Sequence, residues 1–137
     1  MCAEVVEYGV GDASYKAAGE LAGLTKLVNC FYDFMETLPE AKIIREMHKT
    51  DLTDSRKKLS YFLSAWLGGP RLYAEHFGSI NIPSAHRHLS IGFAERDAWI
   101  YCMEKAIEQQ PYKDSFKEYL IKQLKVPAER IRVACES

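Results

Sequence analysis

The stretch SAHRHLSIGFAERDAWIYCM, residues 84–103, determines how the rest of the chain is interpreted. It places His86 and His88 two residues apart, just before a segment with helical spacing that contains a tryptophan and a cysteine. Neither histidine belongs to a metal-binding pattern such as HExxH or CxxC. On a helix, positions i and i+2 lie about 200° apart, so the two imidazoles cannot face the same metal ion. At most one of them is a metal ligand.

Length and composition indicate one compact globular domain. The chain has 137 residues, of which 47% are hydrophobic and 27% charged, which is close to the globular average. The formal net charge of −1 attracts neither nucleic acid nor an anionic membrane. No apolar run approaches the roughly 18 residues of a spanning helix, and the N-terminus is acidic where a signal peptide is basic. We therefore expect one cytoplasmic domain over 1–137, with 1–12 as an extension that is a candidate for disorder.

The four cysteines show no spacing typical of a disulfide framework. Cys30 and Cys102 fall inside apolar stripes with helical spacing, whereas Cys2 and Cys135 lie near the two ends of the sequence. Free thiols are the usual state of scattered cysteines in a cytoplasmic protein. The cysteines are therefore predicted to be free.

Apolar periodicity predicts helices in the first half of the chain. In LAGLTKLVNCFYDFMETLPE, residues 21–40, apolar side chains recur at the spacing of one helical face until Pro39 ends the pattern. A short helical turn is predicted at 41–48. The next stripe runs through 50–70, with Thr53 or Asp54 as N-cap, and the sequence Gly-Gly-Pro at its end stops the helix.

The second half of the chain continues the helical pattern after a break. Residues 71–85 are rich in breakers and are predicted as a loop, and a further helix is predicted over 93–109. A last amphipathic helix is predicted over 112–125, and the tail at 126–137 is expected to add a turn or to fray. The chain is therefore predicted to be all-α with four substantial helices, packed either as an up-down bundle or in crossed pairs.

Four segments together resemble the truncated haemoglobins of group II. They read FY at 31–32, IREMH at 44–48, LSYFLSAWLGGPRLY at 59–73 and HRHLSIGFAERDAWIYCM at 86–103. The resemblance extends from about Tyr15 to Ile107. It implies a shortened globin, a two-over-two helical sandwich around a haem, with a minimal first helix and an extended loop in place of much of the helix on the iron-ligand side.

The resemblance selects one of the two histidines. In the family the iron ligand stands nine residues before the Glu of ERDAW, which is Glu95 here, so His86 is the expected ligand and His88 a surface or supporting residue. No CxxCH occurs, which predicts non-covalent haem b. Ser55 occupies the position of the distal histidine of ordinary globins, so a five-coordinate iron is expected. His48 is the alternative sixth ligand.

The resemblance also implies the residues that contact the haem. The expected contacts other than the iron ligand and the cations are Phe31, Ser55, Leu59, Phe62, Leu63, Trp66, Tyr73 and Ile91. Three cations are expected near the propionates, namely Lys58, Arg71 and Arg87. Ala85 departs from the family, which commonly has a basic residue immediately before the iron ligand, and Glu20 stands where many relatives have a second glycine.

On the opposite side of the iron, the family has a polar trio that corresponds to Tyr32, His48 and Trp99. Each of them alone is more often a structural residue, but together they suit a ligand that gains negative charge on binding iron(II). Hydrogen bonds to such an acceptor contribute roughly 1.5–3 kcal/mol each. The predicted function is therefore reversible binding of O2 and of other diatomic ligands such as NO and CO.

Two alternatives to simple ligand binding stay open. The first is a redox enzyme, either an NO dioxygenase or a peroxidase-like protein. It would need a separate reductase, because the GVG at 9–11 is too short for a dinucleotide-binding loop. The second is a helical sensor or interaction module that has lost its haem.

Overall fold

The structure, a computed structural model, describes residues 7–78, 86 and 88–136. Its elements in chain order are α1 (Ala13–Ala17), α2 (Glu20–Thr37), a 3-10 turn (Pro39–Ala41), α3 (Lys42–Glu46), α4 (Thr53–Trp66), α5 (Leu72–Phe77), α6 (Phe93–Glu108) and α7 (Asp114–Glu136). No strand occurs among these residues, which confirms the all-α prediction. Within the same ranges, no helix is both long and apolar enough to cross a membrane.

Helix α2 lies at the centre of the fold. It packs against α4 on one side and α6 on the other, and α6 packs in turn against α7. The side chains with no exposed surface come from all four long helices, and they include Leu24, Leu27, Phe31, Leu63, Cys102, Met103 and Leu120. Burial of each large apolar side chain contributes roughly 1.5–3 kcal/mol. The four amphipathic stripes predicted from the sequence therefore meet in one core.

The turn after α4 lies against α1. The helix ends at Trp66, as the predicted Gly-Gly-Pro stop requires, and Gly68 has a φ of 87°. A side chain at Gly69 would lie 2.4 Å from the ring of Tyr15, whose backbone N–H donates to the carbonyl of Leu67 at 3.1 Å. The absence of side chains at this turn lets α1 dock on the end of α4.

The junction of α1 and α2 carries backbone strain. Gly19 has a φ of 85°, and Glu20, the first residue of α2, has a φ of 60°. The left-handed region costs a residue with a Cβ roughly 1–2 kcal/mol. Glu20 therefore occupies a backbone conformation that glycine adopts more easily.

Two local predictions around α4 and α5 are wrong. Thr53 and Asp54 lie inside α4 and do not cap it; the carboxylate of Asp51 instead accepts hydrogen bonds from the N–H and the hydroxyl of Thr53, at 2.9 and 2.6 Å. The stretch predicted as a loop over 71–85 begins with α5. Its Phe77 ring packs 5.2 Å from Tyr73, one helical turn earlier. Residues 79–85 lie outside the described part of the chain.

The C-terminal tail is helical, contrary to the expectation that it frays or adds only one turn. Helix α7 runs for 23 residues and continues through Pro127. A proline inside a helix removes one backbone hydrogen bond and usually bends or ends it. Here Pro127 and Ala128 are buried, and the last turns contact the segment before α6. Tertiary packing compensates for the lost hydrogen bond.

The N-terminal extension is described from residue 7 onwards, and it lies against α7. The hydroxyls of Tyr8 and Ser115 are 2.9 Å apart, and the Tyr8 ring centre lies 5.3 Å from that of Phe116 and 5.1 Å from that of Tyr119. These contacts link the chain before α1 to the last helix. Residues 1–6, which include Cys2, lie outside the described part of the chain.

Candidate functional site

Tyr32 belongs to the core face of α2. Its side chain is 5% exposed, and its ring packs edge-on against Phe31 at 4.9 Å and against His48 at 5.7 Å. The hydroxyl donates a long hydrogen bond of 3.5 Å to the carbonyl of Ser55. Burial raises the pKa of Tyr32 to about 12, against an opposing effect of the Arg56 guanidinium. The phenol is therefore protonated at neutral pH and can donate a hydrogen bond.

Trp99 comes from the facing helix, α6, and meets the same phenylalanine. Its ring centre lies 5.2 Å from that of Phe31 in an edge-to-face arrangement, and its side chain is half-buried. Phe31 has no exposed surface and contacts both Trp99 and Tyr32. Helices α2 and α6 thus bring together a hydroxyl donor and an indole donor that are far apart in sequence.

His48 follows α3 and has a defined tautomer. Its Nδ1 lies 2.8 Å from the carbonyl oxygen of Ile44, and because a carbonyl can only accept, Nδ1 carries the proton. Burial lowers the pKa of His48, with smaller contributions from the charges of Arg45 and His86 in the same direction, against a backbone hydrogen bond that raises it. The ring is therefore neutral at pH 7, and its Nε2 is a hydrogen-bond acceptor.

His86 precedes α6 and is not part of a helix. It is half-buried, whereas His88 is exposed. The charge of His86 contributes to the lowered pKa of His48, so the two imidazoles interact electrostatically although they lie on separate segments. The carbonyl of His86 accepts hydrogen bonds from the N–H of Leu89 and the thiol of Cys135, both at 2.9 Å.

An apolar wall is contributed by α4. Leu63 is buried, whereas Leu59, Phe62 and Trp66 are half-buried although they pack on the core, and the rings of Phe62 and Trp66 lie 5.6 Å apart. Ile91, just before α6, is also half-buried. Large apolar side chains that are only half covered suit an additional apolar body packed against them.

The donor set fits a porphyrin better than a bare metal ion. Within the described ranges, no group of three or more His, Cys, Asp or Glu side chains is arranged to hold a metal ion. A single imidazole suffices when four further nitrogens come from a porphyrin, whose apolar faces need the kind of wall that α4 provides. His86 and the half-covered residues of α4 are therefore consistent with haem.

The remaining predicted contacts lie at the corner between α4 and α5 or beyond it. Lys58 is exposed and its Nζ lies 5.5 Å from the ring centre of Phe77; Arg71 is exposed at the start of α5, and Tyr73 is half-buried beside Phe77. His76, which has no assigned role, stacks 5.1 Å from Tyr61.

Ala85 and Arg87 lie outside the described residues. Ser55 is half-buried on α4 and reaches the site through its carbonyl.

The helical layers and the site define a shortened globin, and comparisons with known proteins agree. A family model described as bacterial-like globin matches residues 13–132. The group 2 truncated hemoglobin YjbI of Bacillus subtilis is 32% identical over 117 residues, which cover 85% of this chain and 86% of that protein. The chain therefore belongs to the bacterial-like globins, a haem protein family.

Solved structures extend this assignment to the fold. The group II 2-on-2 hemoglobin of Agrobacterium tumefaciens superimposes with a TM-score of 0.82 at 32% identity, covering 96% of this chain and 98% of the other. A truncated oxygen-avid haemoglobin from Bacillus subtilis gives a TM-score of 0.78 at 30% identity, with 86% and 97% covered. The predicted resemblance to group II and the two-over-two sandwich are thus confirmed.

Sequence reasoning missed the contribution of the end of α7 to the site. Cys135 contacts the backbone of His86, and Arg132 stacks on Phe93 at 4.0 Å. A signal was present, because Ala128, Arg132 and Cys135 follow Pro127 at the i, i+4 and i+7 spacing of one helical face. The prediction that the tail frays or adds one turn followed instead from the usual behaviour of chain ends.

Proposed function

We propose that this chain binds haem b non-covalently through His86 and reversibly binds O2 and other diatomic ligands, such as NO and CO, beside Tyr32, His48 and Trp99. The observation that carries the proposal is the convergence of Tyr32 and Trp99 on Phe31, with an imidazole coupled electrostatically to His86 beside them. The oxygen-avid character of the Bacillus subtilis relative supports O2 as a ligand.

Two donors explain how the pocket would hold a ligand. Haem, when bound, supplies an open iron coordination position at which a diatomic gas gains negative charge. The protonated Tyr32 hydroxyl and the Trp99 indole N–H would donate hydrogen bonds to that charge, and each such bond to a charged acceptor contributes roughly 1.5–3 kcal/mol. Two such bonds slow ligand loss by about 10² to 10⁴. Tight retention makes rapid oxygen transport an unsuitable role.

His48 has a different role from the other two residues. Its Nδ1–H is used by the Ile44 carbonyl, so its Nε2 accepts a hydrogen bond and does not donate one to the ligand. The natural donors to this nitrogen are a hydroxyl, a water or a protonated ligand. The same unprotonated nitrogen is the atom through which His48 would coordinate iron as the alternative sixth ligand.

The acceptor nitrogen of His48 also favours a second candidate function, peroxidase-like chemistry. A neutral imidazole beside two hydrogen-bond donors can take a proton from hydrogen peroxide, as a general base does. This function, like NO dioxygenation, needs electrons from a separate reductase. Mixing the O2-bound protein with NO distinguishes NO dioxygenation from simple binding: sustained nitrate formation with a cellular reductant favours the dioxygenase, whereas one equivalent of nitrate without turnover favours the binding protein.

Titration of the purified chain with hemin tests the proposal and the haem-free alternative together. An intense Soret band is expected for the unmodified chain, with a ferrous iron–histidine stretching band in resonance Raman spectra. His86→Gly is expected to lose the stretching band and most of the haem affinity. The matched control is His88→Gly, an exposed imidazole two residues away, which keeps both. A chain that stays colourless supports the haem-free module instead.

A further inference from the structure

The iron-ligand segment is held by a helix that belongs to the far end of the chain. His86 and residues 88–92 precede α6 and are not helical, and the carbonyl oxygen of His86 accepts two hydrogen bonds. The N–H of Leu89 donates to it within the local turn, and the thiol of Cys135 donates to it from the last turns of α7, 49 residues away in sequence. Two donors on one carbonyl restrict rotation of that peptide group.

A second set of contacts fixes the same part of α7 to the first turn of α6. The guanidinium carbons of Arg132 and Arg96 lie 4.0 and 4.9 Å from the ring centre of Phe93. The carboxylate of Glu129 accepts hydrogen bonds from both guanidiniums, at 3.1 Å in the case of Arg96. Arg132 and then Arg96 lower the pKa of Glu129, so the carboxylate stays charged and the network persists at neutral pH.

The segment between His86 and Phe93 is thus bracketed by α7 at both of its ends. We propose that the end of α7, beyond Pro127, is the positioning element for the iron ligand, with Cys135 orienting the peptide of His86 and Arg132 holding α7 in place. The inference rests on the proposed function, because it requires His86 to bind iron. It also explains why α7 continues past a proline, since an end at residue 126 would leave His86 and Phe93 without these partners.

The chemistry of the contact predicts an effect on coordination and little effect on folding. A thiol is a weak donor, and the His86 carbonyl keeps the Leu89 N–H when the thiol is removed, so no buried acceptor loses all its partners. What changes is the freedom of the peptide group to rotate, and with it the direction in which the His86 side chain leaves the backbone. Cys135 is therefore a positioning residue that acts through His86.

The test compares Cys135→Ala with Cys135→Ser in the haem-loaded protein. In the alanine variant, the ferrous iron–histidine stretching band should shift and broaden, and haem transfer to excess apomyoglobin should become about threefold faster, as expected for the loss of one weak hydrogen bond. The serine variant keeps an O–H donor and should return towards the unmodified chain in both measurements. Cys30→Ala, which removes a half-buried thiol from α2, is the control and should change neither.

Arg132→Ala tests the same element without touching the thiol. It should shift the stretching band in the same direction as Cys135→Ala, whereas Arg130→Ala, which removes an exposed arginine from the same helix, should not. If Cys135→Ala fails to fold, the serine variant and the arginine pair decide the question.

The inference and the proposed function fail in distinguishable ways. If the unmodified chain shows no iron–histidine band, the proposed function is wrong and the inference falls with it. If the band is present but is the same in the unmodified chain, Cys135→Ala and Arg132→Ala, only the inference is overturned. A serine variant that behaves like the alanine variant would also overturn it, because packing and not the hydrogen bond would then be the cause.

Discussion

The two sides of the candidate haem site are held in different ways. Tyr32 and Trp99 stand on α2 and α6, the long central helices, and both pack against the fully buried Phe31. His86 stands outside any helix, is half-buried, and depends on Leu89 and Cys135 for the position of its backbone. The side with Tyr32 and Trp99 is part of the hydrophobic core, whereas the backbone of His86 is held by polar contacts.

This difference separates stability from ligand geometry. A residue of the core side makes many van der Waals contacts, so its replacement lowers the free energy of unfolding. A residue such as Cys135 holds the His86 segment through a polar contact, so its replacement should change the direction of the imidazole more than the stability of the fold. Functional effects on the two sides should therefore have different stability signatures.

The largest expected effect tests this contrast directly. Phe31→Ala should lower the free energy of unfolding of the haem-free chain by about 3–5 kcal/mol, since it leaves a cavity between α2 and α6. Ile91→Ala, on the half-buried segment after His86, should cost only about 1 kcal/mol. Urea denaturation followed by circular dichroism measures both. Equal losses would mean that the two sides are equally part of the core.

The hydrogen-bond donors of the core side should control ligand release. Tyr32→Phe and Trp99→Phe should each raise the O2 dissociation rate by about tenfold or more, at 1.4 kcal/mol per tenfold change. Tyr101→Phe, which removes a hydroxyl from the exposed face of α6, should leave the rate unchanged. Stopped-flow displacement of O2 by CO measures the rates. Unchanged rates in both donor variants would show that neither residue contacts the ligand.

A smaller effect concerns His48, whose lowered pKa should make the free energy of unfolding depend on pH. Burial lowers the pKa of His48 in the folded chain, so between that pKa and about 6.5 the unfolded chain binds more protons. Stability should therefore be fully present above about pH 7 and decline as the pH falls through about 6.5, by at most about 1.4 kcal/mol per pH unit from this group.

Urea denaturation of the haem-free chain at pH 7, 6 and 5 measures this decline. In His48→Gln the free energy of unfolding should fall less steeply over that range. His88→Gln, which replaces an exposed imidazole, should keep the slope of the unmodified chain. Parallel slopes for His48→Gln and the unmodified chain would contradict the lowered pKa.

The smallest effect lies at the start of α2, the helix that carries Tyr32. Glu20→Gly should raise the free energy of unfolding by up to about 1 kcal/mol, because it relieves the positive φ at a cost in chain entropy. Lys26→Gly, at an exposed position inside the same helix, should lower it by about 1 kcal/mol. The O2 dissociation rate should be unchanged in both. A destabilised Glu20→Gly would contradict the strain.

Local patterns predicted the helices that carry the core side. The apolar stripe around Phe31 and the Gly-Gly-Pro stop after Trp66 act within a few residues, and the structure has both features where they were predicted. The errors have two causes. The carboxylate of Asp51 accepts hydrogen bonds from Thr53, a local contact that the choice of Thr53 or Asp54 as N-cap missed. Helix α5 is stabilised by rings of α4 and α5 that pack together, and this contact depends on how the chain turns.

Spacing and motif are properties of neighbouring residues, and they were enough to predict the helical class, the extent of α2, α4 and α6, and the family. How far α7 extends and what holds His86 became clear only from the tertiary structure. The reason is physical: a helix through Pro127 and a thiol on a distant carbonyl are favourable only when their partners are already nearby, and no local pattern encodes that distance.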